Sequence, residues 1–420
     1  MAEIQSKDLI TLFFQVSVML GCALLFGQLM RKLNQPSVLG ELIGGIIIGP
    51  TILGAFAPGI YNALFPANPS IAQERDVLLK VGMVFFLFSA GLEINLTQIQ
   101  QRKWKIVLIS AFGFLIPFLI GYGAVILLPD YWNHTAASDT LTLALFIGTA
   151  LSISALPVIT RILVDLRLLD QQVGIVVISS ATIDDLIGWS LFAVIVSSLS
   201  ASHSDRNFFA ILIGIVLFAI LIIGFGRWIG QPVLRWAHNA LTWPTGLISL
   251  LAIYILFAAA TAEAIGIHAI FGAFIVGVSL NAAFKKNGET RTQEIIHQFA
   301  ISFFTPLYFV SIGLKANFLA NFDVPLVLLV IAIATIGKVV GVSLGAVISG
   351  ISLRDSFAIG FGMNARGAIE MILATVALEH QLIDQRIFVA LVTMALVTSM
   401  VSAPLMQLLI KKTLRIHVEY

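Results

Sequence analysis

Long apolar runs recur along the whole chain, and short stretches with charged residues, proline, asparagine or glycine separate them. A helix needs about 20 apolar residues to cross the roughly 30 Å hydrocarbon core of a bilayer. The pattern therefore predicts an all-α polytopic membrane protein with about thirteen transmembrane helices. We place these spans near residues 8–30, 37–57, 78–98, 106–128, 140–163, 171–199, 208–229, 244–264, 267–284, 294–314, 323–349, 355–378 and 388–410.

Composition supports this class of protein. Hydrophobic residues make up 59% of the 420 residues and charged residues 11%, whereas soluble domains carry about a quarter charged residues. We expect one membrane transporter unit over residues 1–420, with no cytosolic regulatory domain. The net charge of +2 gives no indication of a nucleic-acid partner.

The basic residues predict an orientation. With the N-terminus outside, most of the 24 Lys and Arg residues fall in loops and ends on the inner side, as the positive-inside rule requires. This favours an odd number of spans with a cytoplasmic C-terminus. We expect a multi-pass protein of a bacterial-type inner or plasma membrane.

An odd offset between two halves also predicts an inverted repeat. If spans 1–6 correspond to spans 8–13, each helix runs opposite to its counterpart, as in inverted-repeat transporters. Residues 1–199 would form the first repeat, 200–243 a linker helix region and 244–420 the second repeat. In such folds the site lies at the midplane, where interrupted helices of the two repeats meet.

Two paired spans are interrupted. Span 5, "GTALSISALPVITRIL", contains Ser152, Ser154 and Pro157, and span 12, "GFGMNARGAIEMILA", contains Asn364 among several glycines. Proline removes a backbone donor and frees a carbonyl. We expect two broken helices that cross near the site, although Gly and Pro are also frequent in ordinary membrane helices.

Ionisable residues at membrane depth cost about 2.5–3.5 kcal/mol each on insertion scales, so each is a functional candidate. Eight positions qualify: Glu41, Glu93, Asp184, Asp185, Glu263, Lys338, Arg366 and Glu370. Asp184 and Asp185 are adjacent in span 6, and neighbours on a helix point about 100° apart. We predict that one pairs with Lys338 of span 11 while the other faces a water-filled cavity.

This arrangement predicts exchange chemistry. A small cation prefers hard oxygen ligands, which the two carboxylates, a serine hydroxyl and freed backbone carbonyls would supply. Burial and a like-charged neighbour both favour protonation of a carboxylate, so protons and the cation would compete for one set of oxygens. We predict an ion- and proton-binding site at the two acids and the interrupted spans, with Lys338 as the charge partner and no cofactor besides the transported cation and protons.

Four further residues are secondary candidates: Ser152, Asn364, Arg366 and Glu370. Arg366 and Glu370 are four residues apart and can pair on one helix face. That structural interpretation is favoured over a role as ion ligands. A buried acid could likewise serve only as a hydrogen-bond acceptor.

Six phrases in order resemble the second branch of the monovalent cation:proton antiporters. They are "GELIGGIIIGP", "FFLFSAGLEINL", "ATIDDLIGW", "FFTPLYFVSIGL", "IGKVVG" and "GMNARGAIEMILA". The resemblance runs nearly end to end and implies a sodium/proton antiporter-like fold, a homodimer and a six-helix core that moves as an elevator. By position, it implies that Asp185 binds the cation or protons, that Asp184 pairs with Lys338 and that Ser154 supplies a hydroxyl.

The retained acids and lysine resemble electrogenic members, which exchange two protons for one Na⁺. One motif departs from the family: its frequent Pro-Arg-Gly-Glu is Ala365, Arg366, Gly367 and Ala368 here, and the acid follows at Glu370. We predict Na⁺ (or Li⁺)/H⁺ exchange by alternating access. K⁺/H⁺ exchange is the first alternative, and a non-coupled channel or membrane sensor is the second. An enzyme is disfavoured because no catalytic motif is present.

Overall fold

The computed structural model of the protein describes residues 6–33, 35–93, 103–132, 140–166, 168, 171–199, 208–226, 228, 231–242, 244–265, 268–287 and 290–416. Within these ranges the regular elements are helices. The predicted end of the third span at residue 98 and residues 200–207 of the predicted linker lie outside the described residues.

The helices follow one another with short connections. In chain order they are α1 (Ser6–Lys32), α2 (Ser37–Ile48), α3 (Leu53–Phe56), α4 (Pro58–Leu64), α5 (Pro69–Glu93), α6 (Lys103–Leu127), α7 (Thr140–Ala150), α8 (Leu156–Asp165), α9 (Gln172–Leu199), α10 (Phe208–Phe225), α11 (Gln231–Ala240), α12 (Thr245–Ala264), α13 (Ala269–Asn287), α14 (Thr290–Phe299), α15 (Thr305–Lys315), α16 (Phe318–Asn321), α17 (Val324–Ile348), α18 (Leu353–Met363), α19 (Ala368–Glu379) and α20 (Gln385–Ile416). A 3₁₀ turn (Pro129–Trp132) follows α6, and a π-helical turn (Ala300–Phe304) joins α14 to α15.

In the described part of the chain, eight helices are long and apolar enough to cross a membrane. They are Asp8–Lys32, Ser37–Phe56, Trp104–Leu127, Val173–Phe192, Thr245–Ala264, Arg291–Lys315, Val324–Ile348 and Gln385–Ile410. Large apolar side chains on their outer faces are exposed, such as Phe13 at 66% and Leu328 at 61%. These features are those of an integral multi-pass membrane protein.

Two of the predicted spans are each divided into two helices. The predicted span 140–163 is α7 and α8, separated by a first break at residues 151–155. The predicted span 355–378 is α18 and α19, separated by a second break at residues 364–367. Pro157 lies in the first turn of α8, where its missing N–H is tolerated because the first helical N–H groups have no intrahelical acceptor.

Contacts divide the chain into two compact units, and each unit is formed by two separate segments. Unit 1 comprises Met1–Asn95 and Val196–Asn317. Its core includes Phe88 of α5, Leu251 of α12 and Val276 of α13. A smaller cluster in the same unit centres on Met19 of α1.

Unit 2 comprises Leu96–Ile195 and Phe318–Tyr420. The most extensive contact between two helices in the described part of this unit is that of α6 with α17. The backbones approach closely there because glycine occupies the contact: a Cβ added to Gly341 would lie 2.5 Å from the Phe112 carbonyl oxygen, and one added to Gly345 would lie 2.8 Å from Ile109 Cα. Small residues allow such an approach between membrane helices. Unit 2 contains both helix breaks.

Candidate functional site

Asp184 is the centre of a buried polar cluster in unit 2. It lies on α9, and none of its side chain is exposed. One carboxylate oxygen, Oδ2, is 2.5 Å from the Lys338 ammonium and accepts a 3.3 Å hydrogen bond from the Ser154 hydroxyl. The other oxygen, Oδ1, accepts a 2.5 Å hydrogen bond from the Ser110 hydroxyl. An ion pair in such a dry place is stable only when its remaining valences are also satisfied, and here donors reach both oxygens.

Lys338 joins this carboxylate to the first break. It lies midway along α17 and is completely buried. Besides Asp184, its Nζ donates a 2.6 Å hydrogen bond to the Ser152 carbonyl oxygen. The ammonium group therefore contacts one full negative charge and one carbonyl from the end of an interrupted helix.

Ser152 and Ser154, both predicted candidates, lie in the first break and are buried. The Ser152 hydroxyl donates to the Gly148 carbonyl of α7 at 2.7 Å. Its side chain is therefore bound to α7, and it is the Ser152 carbonyl that contacts Lys338. Ser154 instead directs its hydroxyl to Asp184. Of these two serines, only Ser154 therefore presents a side-chain oxygen to the acid.

Arg366 caps the end of α7 from the second break. Its Nη1 donates to the carbonyl oxygens of Ala150 at 2.8 Å and Ile153 at 2.9 Å, and its Nη2 donates to the carbonyl of Leu151. The last carbonyls of a helix lack intrahelical donors and carry partial negative charge. The guanidinium satisfies these carbonyls and places a positive charge at the same helix end as Lys338.

Backbone hydrogen bonds connect the second break to its surroundings. The Ala155 N–H donates to the Ala365 carbonyl at 3.0 Å, which links the two breaks. The Arg366 N–H donates to Ser399 Oγ of α20 at 3.0 Å, and the Ser399 hydroxyl donates back to the Arg366 carbonyl. Non-helical backbone inside a membrane is tolerated where protein supplies such partners.

Asp185 is the second predicted acid and is 3% exposed. It follows Asp184 on α9, so its side chain points about 100° away. The Asp185 carboxylate lies within electrostatic range of the Lys338 ammonium group. The two acids therefore occupy different surroundings within one cluster.

The remaining secondary candidates lie beside this cluster. Asn364 is 1% exposed and Glu370 is 2% exposed. Glu370 Oε2 is 3.8 Å from Arg366 Nη1. Among the described residues, neither Glu370 carboxylate oxygen nor Asn364 Oδ1 has a hydrogen-bond partner. The predicted pairing of Arg366 with Glu370 is thus an ionic contact without a hydrogen bond.

Other acids considered from the sequence lie in unit 1. Glu41 of α2 is 6% exposed. Glu263 is exposed, and its Oε2 accepts a 2.7 Å hydrogen bond from the Ala269 N–H at the start of α13, which is a structural role at a helix end. The Glu93 side chain lies outside the described part of the structure.

Five ionisable side chains are buried in the described part of unit 2: Asp184, Asp185, Glu370, Lys338 and Arg366. Fully ionised, these three carboxylates and two cations leave one net negative charge. One monovalent cation or one proton would neutralise it. No group of three or more His, Cys, Asp or Glu side chains that could hold a metal ion occurs among the described residues, so carbonyl and hydroxyl oxygens would have to complete a cation site.

Sequence reasoning missed Ser110. It is a single serine within the apolar helix α6 and is completely buried, and its partner lies 74 residues away. The sequence contains one related pattern, the glycines four residues apart on α17. They indicate a close contact with another helix, but they do not identify Ser110 of α6 as part of it.

Comparisons with known proteins give matches over nearly the whole chain. A family model described as "Sodium/hydrogen exchanger, transmembrane" matches residues 18–412. The chain is 30% identical over 408 residues to the Na⁺/H⁺ antiporter NhaS4 of Synechocystis, a match that covers 95% of this chain and 97% of that protein.

Two further comparisons extend the picture. The chain is 32% identical to K⁺/H⁺ antiporter 1 of Saccharomyces cerevisiae over 96% of this chain, but it spans about half of that protein, 47%. The solved structure of the sodium proton antiporter MjNhaP1 from Methanocaldococcus jannaschii matches with a TM-score of 0.70 at 18% identity, covering 95% of this chain and 96% of that one. At that identity the match shows the fold.

Proposed function

This chain belongs to the sodium/hydrogen exchanger family, and from that premise we propose that it exchanges Na⁺ or Li⁺ for H⁺ as a secondary active antiporter. The family is one of transporters and not of enzymes. The observation that carries the proposal is the fully buried ion pair of Asp184 with Lys338, at the break of an interrupted helix. Buried charges at membrane depth are retained for ion and proton pathways.

The exchange chemistry follows from competition for oxygen atoms. Asp185, with Asp184, Ser154 and carbonyls of the two breaks, would bind Na⁺ in the inward-facing state and release protons. While the cation is absent, Lys338 and Arg366 would offset part of the negative charge of the site and leave one net negative charge. A loaded site close to neutral can cross the membrane, whereas an empty site with a net negative charge meets the high cost of moving charge through hydrocarbon. That difference would couple the two ions.

We extend the proposal to the mechanism of movement. Unit 2 contains the cluster of five buried ionisable side chains, so it would be the part that carries the ions, in an elevator-type, electrogenic cycle. The proposed topology has about thirteen spans and an outside N-terminus. It contains an inverted repeat of residues 1–199 and 244–420, with a linker at residues 200–243. A homodimer in the lipid bilayer is the proposed assembly.

K⁺/H⁺ exchange is the second candidate. The yeast relative is named a K⁺/H⁺ antiporter and is 32% identical to this chain, and cation choice depends on cavity size and ligand number. Apparent affinities for Na⁺, Li⁺ and K⁺ at several pH values would separate the two candidates.

The test uses purified protein in proteoliposomes with an imposed pH difference, followed by dequenching of a pH-sensitive dye when a cation is added. Wild type should exchange, and Asp185→Asn should abolish exchange while the protein stays folded. Asp130→Asn, an identical change at an exposed position, should leave the rate unchanged. Full activity of Asp185→Asn would refute the assignment. Cation flux that never builds a gradient would indicate a channel, and no flux would indicate a sensor.

A further inference from the structure

Ser110 does not make the local hydrogen bond that several helical hydroxyl side chains in unit 2 make. Thr149, Thr375 and Ser402 each donate to the carbonyl four residues earlier in their own helix, at 2.7–2.8 Å. That local bond is the usual choice for Ser and Thr within a helix. Ser110 instead donates across to Asp184 Oδ1 at 2.5 Å.

The local acceptor of Ser110 is used by another helix. The carbonyl four residues before it, at Ile106, accepts a 3.4 Å hydrogen bond from the Ser180 hydroxyl of α9. Ser180 and Ser110 are both completely buried. The contact between α6 and α9 therefore contains two serines with different roles, one bound to backbone and one bound to the acid.

The close contact of α6 with α17 holds Ser110 in place. Gly341 and Gly345 of α17 lie against the α6 backbone at Phe112 and Ile109, on either side of Ser110 in the sequence. Lys338, on the same α17, holds the opposite oxygen of Asp184. The carboxylate therefore has Lys338 and Ser154 on one oxygen and Ser110 on the other, and the α6–α17 contact supports both Lys338 and Ser110.

Ser110 and Lys338 differ in what they can do. An ammonium group only donates hydrogen bonds, whereas a hydroxyl both donates and accepts. We propose that Ser110 is a positioning residue for exchange: its hydroxyl holds Asp184 Oδ1 while Lys338 holds Oδ2, so the carboxylate keeps one fixed orientation within the cluster. This inference rests on the proposed antiport function.

Several charged groups lie around Asp184 and would share any pH effect. Lys338 binds it from α17, and Arg366 lies within electrostatic range in the second break. Asp185 is the next residue of α9, with its side chain turned about 100° away, and Glu370 of α19 lies beside Arg366. From α6 the group in contact is Ser110, which is neutral. Replacing Ser110 therefore changes a hydrogen bond and leaves the net charge of the cluster unchanged.

The test compares the pH dependence of exchange in proteoliposomes for wild type, Ser110→Ala, Ser110→Thr and Ser180→Ala. Without the hydroxyl the ionised carboxylate loses a donor, so Ser110→Ala should need a pH about one unit higher to reach half its maximal rate. Its maximal rate at high pH should be retained. Ser110→Thr keeps a hydroxyl and should restore the midpoint, and Ser180→Ala should keep the wild-type midpoint.

Three results would overturn the inference: a wild-type midpoint in Ser110→Ala, an equal shift in Ser180→Ala, or a Ser110→Ala rate lowered uniformly at every pH. An inactive wild type would refute the proposed function instead. In that case, thermal unfolding still tests the contact. Ser110→Ala should lower the unfolding midpoint of the wild type by more than it lowers that of Asp184→Ala, which has no acceptor for the hydroxyl, and equal shifts would exclude the contact with the acid.

Discussion

The Ala155 N–H donates to the Ala365 carbonyl across 3.0 Å, so the two interrupted helices are hydrogen-bonded to each other at their breaks. Each break leaves backbone groups without helical partners, and burial makes an unsatisfied group expensive. The direct link satisfies one donor and one acceptor. It also places Arg366, the next residue, where its guanidinium reaches three carbonyls at the end of α7.

Arg366→Lys should destabilise the protein because an ammonium group lacks the planar fork that reaches several carbonyls. Each buried carbonyl left without a donor costs about 1–3 kcal/mol, so the loss should be about 2–4 kcal/mol. Thermal unfolding in detergent would measure it.

Arg386→Lys is the matched control. Arg386 donates to Asp323 Oδ2 at 2.9 Å and to the Tyr131 carbonyl at 2.7 Å, but its side chain is 27% exposed. Water can replace lost partners there, so the unfolding midpoint should fall less. Equal falls in the two variants would contradict the capping role of Arg366.

Lys338→Ala should be strongly destabilising because it leaves Asp184 buried without its cation. Removing one partner of a buried ion pair costs about 3–5 kcal/mol. Asp184→Asn in addition removes the orphaned charge, so the double variant should unfold at a higher temperature than Lys338→Ala alone. Effects of the two changes that simply add would show that the pair is not coupled in stability.

Gly341→Ala should force α6 away from α17, since the added Cβ would meet the Phe112 carbonyl oxygen at 2.5 Å. Overpacking of this kind costs about 1–3 kcal/mol, and the displaced Ser110 would hold Asp184 less well. We expect a lower unfolding midpoint and slower exchange.

Gly123→Ala provides the comparison within α6. A Cβ at Gly123 would meet no heavy atom within 4 Å apart from the adjoining backbone of its own helix, and alanine is favoured over glycine inside a helix by about 0.5–1 kcal/mol. This variant should be neutral or slightly more stable. A Gly341→Ala protein that behaves like Gly123→Ala would show that the α6–α17 contact tolerates a methyl group.

The apolar runs predicted most helices well because hydrocarbon thickness fixes their length. The predicted spans 106–128, 171–199 and 323–349 differ from α6, α9 and α17 by at most a few residues. The start of α5 at Pro69 was missed, because Glu74, Arg75 and Asp76 interrupt the apolar pattern without interrupting the helix. Charges mark where a helix leaves the apolar region and say little about where it begins.

The site was predictable where charge stands out and unpredictable where it does not. Asp184 and Lys338 are conspicuous because ionisable residues are rare in apolar spans, and the structure brings them together at 2.5 Å. Ser110 and the Ala155–Ala365 link involve residues that are ordinary in membrane helices. Their partners depend on helix packing, which a single sequence does not encode in any local pattern.

The competition between cation and protons should appear in the apparent KM for Na⁺. Lowering the pH fills the carboxylates with protons and weakens cation binding. If one proton competes, the KM should rise about tenfold per pH unit on the acid side, and if two compete, about a hundredfold. Proposed electrogenic exchange of two protons for one Na⁺ requires the steeper dependence. It also requires that an inside-negative potential speed proton entry, because each cycle would then carry one net positive charge inward.

Rates in proteoliposomes at a series of pH values and imposed potentials would measure both, with Asp185→Asn vesicles reporting passive leak. A tenfold slope together with rates that do not respond to potential would contradict electrogenic exchange and indicate one proton for one cation. That outcome would still agree with the single net negative charge of the buried cluster, since one cation or one proton neutralises it equally.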